Sequence, residues 1–354
     1  MTTKYGDITP RQAGYSVANF LKRAAPNLVI ERFGQVFVMP KNNTQTAKFR
    51  RYYMEGASGS AGPGDGGDYS NPQSKVLEEG VTPTGSKLAS RDYTVTLVQY
   101  GDWMGFTDVM VDTHEDFPQA LREMSAVLGE SAAETIEHLR FNVLKAGTNV
   151  FYADGVESRG AVNGTLNLQM QRRITRSLKR QNAKPITNIG KSSPAYETLP
   201  IEAAFIALVH PDLENDIRNM VNVNGESAFI STKHYAGIQP MEGEIGSVED
   251  VRYIRSTVFE SWADAGGAVA DADVDVLSSG GTDADVYPIL YLARDAFGIV
   301  PLKGESSVNI SWVNPKPTET DPLGQRGTAG YKFWTATVIL QDAFLVRAEV
   351  AATN

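Results

Sequence analysis

The sequence predicts an α+β fold built around one long helix, with extensions that reach beyond a compact body. Three observations carry this. Residues Glu115–Ala146 hold a three-four apolar spacing through Phe117, Leu121, Met124, Leu128, Ala132, Thr135, Leu139 and Val143, the pattern of one buried helical face. Thr44–Met54 and Arg91–Tyr100 alternate polar with apolar or aromatic residues at strand period, on either side of a glycine-rich segment. The first 52 residues carry nine Lys/Arg against Asp7 and Glu31, a net +7, whereas the remainder, with 24 basic and 40 acidic residues, is −16.

The helix has its own start and stop signals. Thr113 is placed to cap it, Pro118 falls in its first turn, and Gly147 follows its last apolar position. At 1.5 Å per residue it would run ~48 Å, against a radius of gyration of ~20 Å for a compact chain of this length. It must cross nearly the whole body, as a spine.

Before it, Pro10 can open a short helix over Arg11–Ala25 that Pro26 ends, and Leu28–Met39 is apolar and β-leaning. Between the two alternating segments lies Gly56–Gly67, six glycines in twelve positions, which cannot build a core and is expected to be a mobile hairpin tip. An eleven-residue strand spans ~36 Å, too long for such a hairpin to fold back into a globule. After the spine, Leu168–Asn182 reads as a basic helix carrying Arg172, Arg173, Arg176, Lys179 and Arg180. Phe205–Val209 reads as a buried strand and Pro211–Met220 as a short helix. Val248–Phe259, Val286–Leu292, Gly298–Leu302, Lys332–Leu340 and Ala343–Val350 read as strands, with a Gly/Ala/Asp-rich loop over Asp264–Asp285. No internal repeat is visible.

Composition narrows the function classes. Apolar residues make up 42% and charged residues 21%, enough for a real core. No run of 18 apolar residues predicts a membrane span, and the first residues lack the apolar stretch of a secretory signal. With no cysteine there are no disulfides, thiolate metal sites or cysteine nucleophiles, which fits a reducing cytoplasm.

The motifs that could carry chemistry fail on inspection. Gly62-Pro-Gly64-Asp-Gly66-Gly67 matches a dinucleotide fingerprint, but Asp68–Pro72 begins no helix to face a phosphate. Gly190-Lys191-Ser192 resembles the end of a P-loop, yet Pro185 stands where its first glycine belongs and Pro194 interrupts the helix start. Asp271, Asp273 and Asp275 open like a calcium loop, but Val276 and Thr282 replace the required glycine and glutamate. His114, His138, His210 and His234 show no metal-ligand spacing. No serine-nucleophile motif and no distinctive carboxylate pair is present. The expectation is therefore no catalytic residue, no cofactor and no metal. Arg172–Arg180 could track phosphates or pair with acidic residues of a neighbouring subunit, and both readings stay open.

Specific stretches carry a resemblance. Thr9-Pro-Arg-Gln-Ala-Gly-Tyr15, Pro40-Lys-Asn-Asn43, Phe49-Arg-Arg-Tyr52 and Leu77-Glu-Glu-Gly-Val-Thr-Pro83 are similar to the N-four-type major capsid protein family of tailed double-stranded DNA phages. So are Gln99-Tyr-Gly-Asp-Trp103, Asp112-Thr-His-Glu-Asp116, Ala133-Glu-Thr-Ile-Glu137 and Asn142-Val-Leu-Lys-Ala-Gly-Thr148. Leu178-Lys-Arg-Gln-Asn-Ala-Lys-Pro-Ile186, His210-Pro-Asp-Leu213, Gly243-Glu-Ile-Gly-Ser-Val-Glu-Asp250, Asp295-Ala-Phe-Gly-Ile-Val-Pro-Leu302 and Asp321-Pro-Leu-Gly-Gln-Arg-Gly327 extend the match along nearly the whole chain.

The resemblance implies the Hong Kong-type phage capsid fold. It implies an N-terminal arm over 1–43, an extended hairpin with flanking strands over 44–111, and a peripheral domain over 112–185 containing the spine 115–146. An axial domain over 186–300 and closing peripheral strands over 301–354 complete it. It further implies a structural protein, not an enzyme, whose hexamers and pentamers form an icosahedral shell around packaged double-stranded DNA. The implied setting is the virion capsid, assembled in the host cytoplasm, with scaffolding, portal and decoration proteins as partners and no membrane. An encapsulin-type compartment shell would share the fold, and a cytosolic enzyme is the alternative of a different class. Limited proteolysis of the unassembled subunit is expected to cut first within 56–72, and protection there would count against a mobile tip.

Overall fold

The computed structural model describes residues 28–40, 42, 44–54, 77–82, 88–113, 117–190, 198–235, 240–272, 274–302, 309–317, 319 and 321–354. The expected helix Arg11–Ala25, the glycine-rich tip and His114 lie outside these residues. In chain order the strands and helices are β1 (Gln35–Val36), β2 (Thr46–Met54), β3 (Leu88–Thr96), β4 (Val98–Thr107), α1 (Asp108–Thr113) and α2 (Phe117–Leu144). Then follow β5 (Val150–Tyr152), α3 (Leu168–Arg180), β6 (Ile186–Gly190), β7 (Thr198–Val209), α4 (Glu214–Arg218), β8 (Phe229–Ser231), β9 (Glu244–Val248) and β10 (Val251–Arg255). The chain closes with β11 (Val286–Leu292), β12 (Phe297–Pro301), β13 (Asn309–Val313), β14 (Arg326–Ile339) and β15 (Leu345–Ala351).

Two sheets are organised around α2. An eight-stranded mixed sheet runs β5-β15-β11-β7-β10-β9-β8, with β6 also on β7. Its alternation sorts side chains into two cores. Phe205, Ala207, Val209, Tyr253, Ile289, Tyr291, Val346, Ala348 and Val350 face one way, against Met170, Ile174 and Leu178 of α3. Ile206, Leu208, Ile254, Leu290, Leu292 and Leu345 face the other, against Phe141 and Leu144 of α2. Covered on both faces, β11 is buried at every position, as a central strand between helical layers must be.

The second sheet has five strands centred on β14, whose fourteen residues pair with β12, β13 and β4. One face of it, with Phe106, Ala329, Tyr331 and Phe333, receives Leu128, Ala132 and Ile136 of α2. At the base of the β2–β3 hairpin Met39, Ala47, Leu97, Val300 and Ala336 form a smaller core. Helix α2 is thus buried twice, its middle against one sheet and its C-terminal turns against the other. At 1.5 Å per residue its 28 residues cover about 42 Å.

Several expectations need correction. The spine is Phe117–Leu144 rather than Glu115–Ala146, and its burial is not one stripe. Leu128 and Ala132 lie on the expected face, but Ala133, Glu137, Arg140, Phe141 and Leu144 are buried on a second face. The partner of β2 is not Arg91–Tyr100. β3 stops at Thr96, Leu97 is buried, and β4 then changes partner to β14. Leu28–Met39 is not simply extended, because Ile30–Phe33 forms one turn of 3-10 helix. Val248–Phe259 is no single strand: β9 and β10 form a hairpin that turns at Glu249 with φ of 51°. Pro211–Met220 divides into a 3-10 turn, Pro211–Leu213, and α4. The strands expected together over 301–354 end in different sheets, β14 in the five-stranded sheet and β15 inside the eight-stranded one.

Leu128, 1% exposed, tests the buried face. A carboxylate there would be unpaired in an apolar core, costing several kcal/mol. Leu128→Asp is expected to give insoluble protein, while Glu123→Ala on the exposed side should stay within about 0.5 kcal/mol of the parent. Soluble Leu128→Asp with an unchanged melting temperature would show the wrong face assigned.

Candidate functional site

The strongest polar construction in the fold joins the segment 28–33 to the spine. Ile30–Phe33 is a single helical turn, and the first N–H groups of any helical turn lack partners within it. Here the cap comes from another element. Oε1 of Glu137, a residue with 0% exposure, accepts hydrogen bonds from the backbone N–H of Val29 and of Ile30, both at 2.7 Å. Nη1 of Arg140, one turn further along α2, donates to Oε2 of Glu31 at 2.9 Å and lies 4.0 Å from Oε2 of Glu137. Arg32 pairs with Glu242 at 2.7 Å, and Val29, Ile30 and Phe33 are sunk among Phe141, Leu144, Ile206 and Phe297.

Burial dominates the electrostatics of this clasp. It pushes the Glu137 carboxyl up to about 7, while Arg140 and the two N–H donors pull it back. The arrangement fixes residues 29–32 against the spine. Sequence reading missed it, although a signal exists. Glu137 and Arg140 stand with Ala133 and Leu144 on one helical face, and an acid and a base among buried positions three and four apart require a specific partner.

The hairpin is the second construction. β2 and β3 pair in register from Thr46↔Thr96 to Met54↔Leu88, and among the described residues each has only the other as sheet partner. Arg50 and Asp92 face each other across it at 2.7 Å. Tyr52 is an exposed large apolar residue on this ribbon, and Phe37, Val38 and Val98 are exposed near its base.

The motifs weighed from sequence are not brought together. Gly190 ends β6 opposite Thr198 in a strand ladder, Lys191 and Ser192 lie outside the described residues, and so do Gly62–Gly67. Asp275 is tied to Asn354, Asp271 sits in a 3-10 turn, and Asp273 lies outside the described residues. His138 lines a cleft of about 630 Å³ with Glu134, Glu242 and Arg255, while His210 accepts from the backbone N–H of Asp212 through Nδ1. Among the described residues no three His, Asp or Glu side chains are placed to hold a metal ion, and no helix is long and apolar enough to cross a membrane. In the basic helix α3, Arg172 bonds Glu249 at 2.9 Å and Lys179 pairs with Asp250, whereas Arg173, Arg176 and Arg180 are exposed to solvent.

The architecture, a spine helix shared by two sheets, is similar to that of tailed-phage capsid proteins. The capsid of Ralstonia phage GP4 superposes with a TM-score of 0.61 at 13% identity, covering 92% of this chain and 90% of that one. The capsid of cyanophage Pam1 does so at 0.56 and 12% identity, covering 94% and 92%. In sequence, the major capsid protein of Pseudomonas phage KPP21 is 22% identical over 265 residues, 72% of this chain and 66% of that protein's length. Residues 92–340 match the family described as phage capsid protein. The chain belongs to that family, so its role is structural rather than catalytic.

The clasp has a pH signature. An acid whose folded pKa, about 7, lies above its unfolded value of 4.5 holds its proton more tightly when folded, so stability falls as pH rises from about 4.5 to about 7. The loss should amount to roughly 3 kcal/mol. Glu137→Gln keeps an acceptor for Val29 and Ile30 and cannot ionise. Denaturant midpoints of the variant should therefore be flatter than those of the parent between pH 5 and 8, and parallel profiles would sink the assignment.

Proposed function

We propose that the chain is the major capsid subunit of a tailed double-stranded DNA phage, and that its hexamers and pentamers close an icosahedral shell around the genome. The observation that carries this reading is the hairpin. A two-stranded ribbon on its own is marginal in water, and its free edges and exposed apolar residues need cover. A neighbouring copy supplies that cover in a closed shell, where each subunit buries the same surfaces on the next. The family match favours a phage shell over an encapsulin-type compartment.

In this reading residues 1–43 are the arm, the five-stranded sheet with the spine is the peripheral domain and the eight-stranded sheet is the axial domain. The axial domain takes α3, β5 and β15, expected in the peripheral domain, because they pack on or pair within that sheet. Residues 28–40 of the arm are seated on the subunit's own body through Val29, Ile30, Phe33 and β1, and residues 1–27 strap across acidic surfaces of neighbouring subunits. Their basic residues are interspersed with apolar ones such as Phe20 and Leu21, unlike a dense nucleic-acid tail, and the body they leave behind is acidic. Assembly takes place in the host cytoplasm with scaffolding and portal proteins, and a decoration protein reinforces a shell that has no disulfide available.

Negative-stain electron microscopy of the purified protein, alone and with the scaffold gene encoded beside it, should show shells of uniform diameter. Particles no larger than a monomer in both samples would overturn the proposal. Deleting residues 1–25 should weaken or abolish shell formation with no DNA present. Normal empty shells that fail only on genome packaging would refute the strap.

A further inference from the structure

Helix α3 carries five cations and no acid in thirteen residues. Its buried positions, Leu168, Met170, Gln171, Ile174, Thr175 and Leu178, occupy one side. At about 100° per residue, Arg172, Arg173, Arg176, Lys179 and Arg180 fall within about 120° of the opposite side. Arg176 stands at the centre of this band, with a cation at every neighbouring helical position, three and four residues before and after it. Such like-charge pairs weaken a helix, and Arg172 and Arg173 also lie toward the helix N-terminus, where the backbone dipole opposes cations. The protein relieves only one edge of the band. Glu249 and Asp250, at the turn between β9 and β10, take Arg172 and Lys179. Arg173, Arg176 and Arg180 remain exposed, with no ion pair among the described residues, in a line about 10.5 Å long at the rise of an α-helix. Arg176 and Arg180, with the two paired cations, also line an open groove of about 490 Å³.

We propose that this face binds the phosphodiester backbone of double-stranded DNA; the proposal rests on the reading of the chain as a genome-enclosing capsid subunit. A linear array of guanidinium groups matches a linear array of phosphates, which bidentate arginine pairing suits well. The face has no aromatic residue on which an unpaired base could stack, so binding is to duplex backbone and independent of sequence. A second copy of the chain is the poorer fit. Interfaces between proteins centre on apolar and aromatic residues, yet every exposed position here, from Gln169 to Arg180, is amide or cation. Residues 53–354 carry a net −16, so within that body a basic strip holds DNA at one place while the acidic surface around it repels the duplex.

The test titrates fluorescein-labelled duplex DNA of random sequence with unassembled full-length subunit, by anisotropy, between about 50 and 200 mM salt. Arg173→Gln/Arg176→Gln/Arg180→Gln should lower the slope of log affinity against log salt by about 2.7, at roughly 0.9 for each phosphate no longer neutralised. The corresponding triple Lys variant should retain most of the slope. Lys233→Gln/Lys316→Gln/Lys332→Gln, which removes equal charge elsewhere, should leave it unchanged. Equal slopes in the parent and the Gln variant would overturn the proposal. So would a Gln variant that binds DNA normally but no longer forms shells without DNA, a result that would assign the strip to a neighbouring subunit. Binding is read on free subunits and shells by microscopy, so a parent that binds DNA through this strip but forms no shell counts against the capsid reading alone.

Discussion

Everything in this subunit depends on burying one helix against two sheets at once. Its middle turns fill one core through Leu128, Ala132 and Ile136, and its last turns fill another through Phe141 and Leu144. It is the element that both cores share; Val29, Ile30, Phe33 and Phe259 complete the second. Close-packed interiors transmit strain rather than absorbing it, so any change in the angle between the sheets must pass through the helix or through the two places where it seats. The clasp at Glu137 lies at the junction of those seats, which is why the arm is anchored there and not on either sheet alone.

Charged groups inside the body connect parts of the chain that are distant in sequence. Arg140 holds Glu31 across 109 residues, and Arg159 holds the fully buried Glu349 across 190. Arg347 meets the same Glu349 at 2.8 Å, and Arg159 also stacks over Trp262 at 3.6 Å. Glu244 and Arg252, almost wholly buried, pair at 2.9 Å across the β9–β10 hairpin. A buried ion pair is a poor source of net stability because desolvation offsets it, but breaking one is costly. Without disulfides, these pairs act as directional pins that allow one arrangement of segments and penalise its neighbours.

Much of this was legible in the sequence. The spine, the basic helix, the central strands Phe205–Val209 and Val286–Leu292 and the paired hairpin strands all follow from local period. What escaped were the places where the chain changes partner without changing period. Period two runs from β3 into β4 with no Gly or Pro between them, and the one local sign that a different sheet begins is a shift of phase at Leu97–Val98, from Tyr93, Val95 and Leu97 to Val98, Tyr100, Met104 and Phe106. The start of β14 escaped for another reason. Gly327 and Gly330 look like strand breakers, yet a Cβ on Gly327 would lie 2.3 Å from the Phe106 ring, and one on Gly330 3.0 Å from the Cβ of Trp103. Those glycines serve close approach between strands. The clasp was missed for a third reason: Glu137 and Arg140 mark it on α2, but the atoms that Glu137 holds are backbone N–H groups more than a hundred residues away.

The pairing of β4 with β14 governs how the protein comes off the ribosome. Roughly 220 residues separate Thr107 from Arg326, so at about 5–20 residues per second the earlier strand waits on the order of 10–40 s for its partner. β15, the second strand of the eight-stranded sheet, between β5 and β11, is made later still. Both sheets therefore stay open until these late strands have been made. Until then a nascent chain displays open strand edges, the surfaces that pair most readily with other chains, so the interval is one of exposure to aggregation.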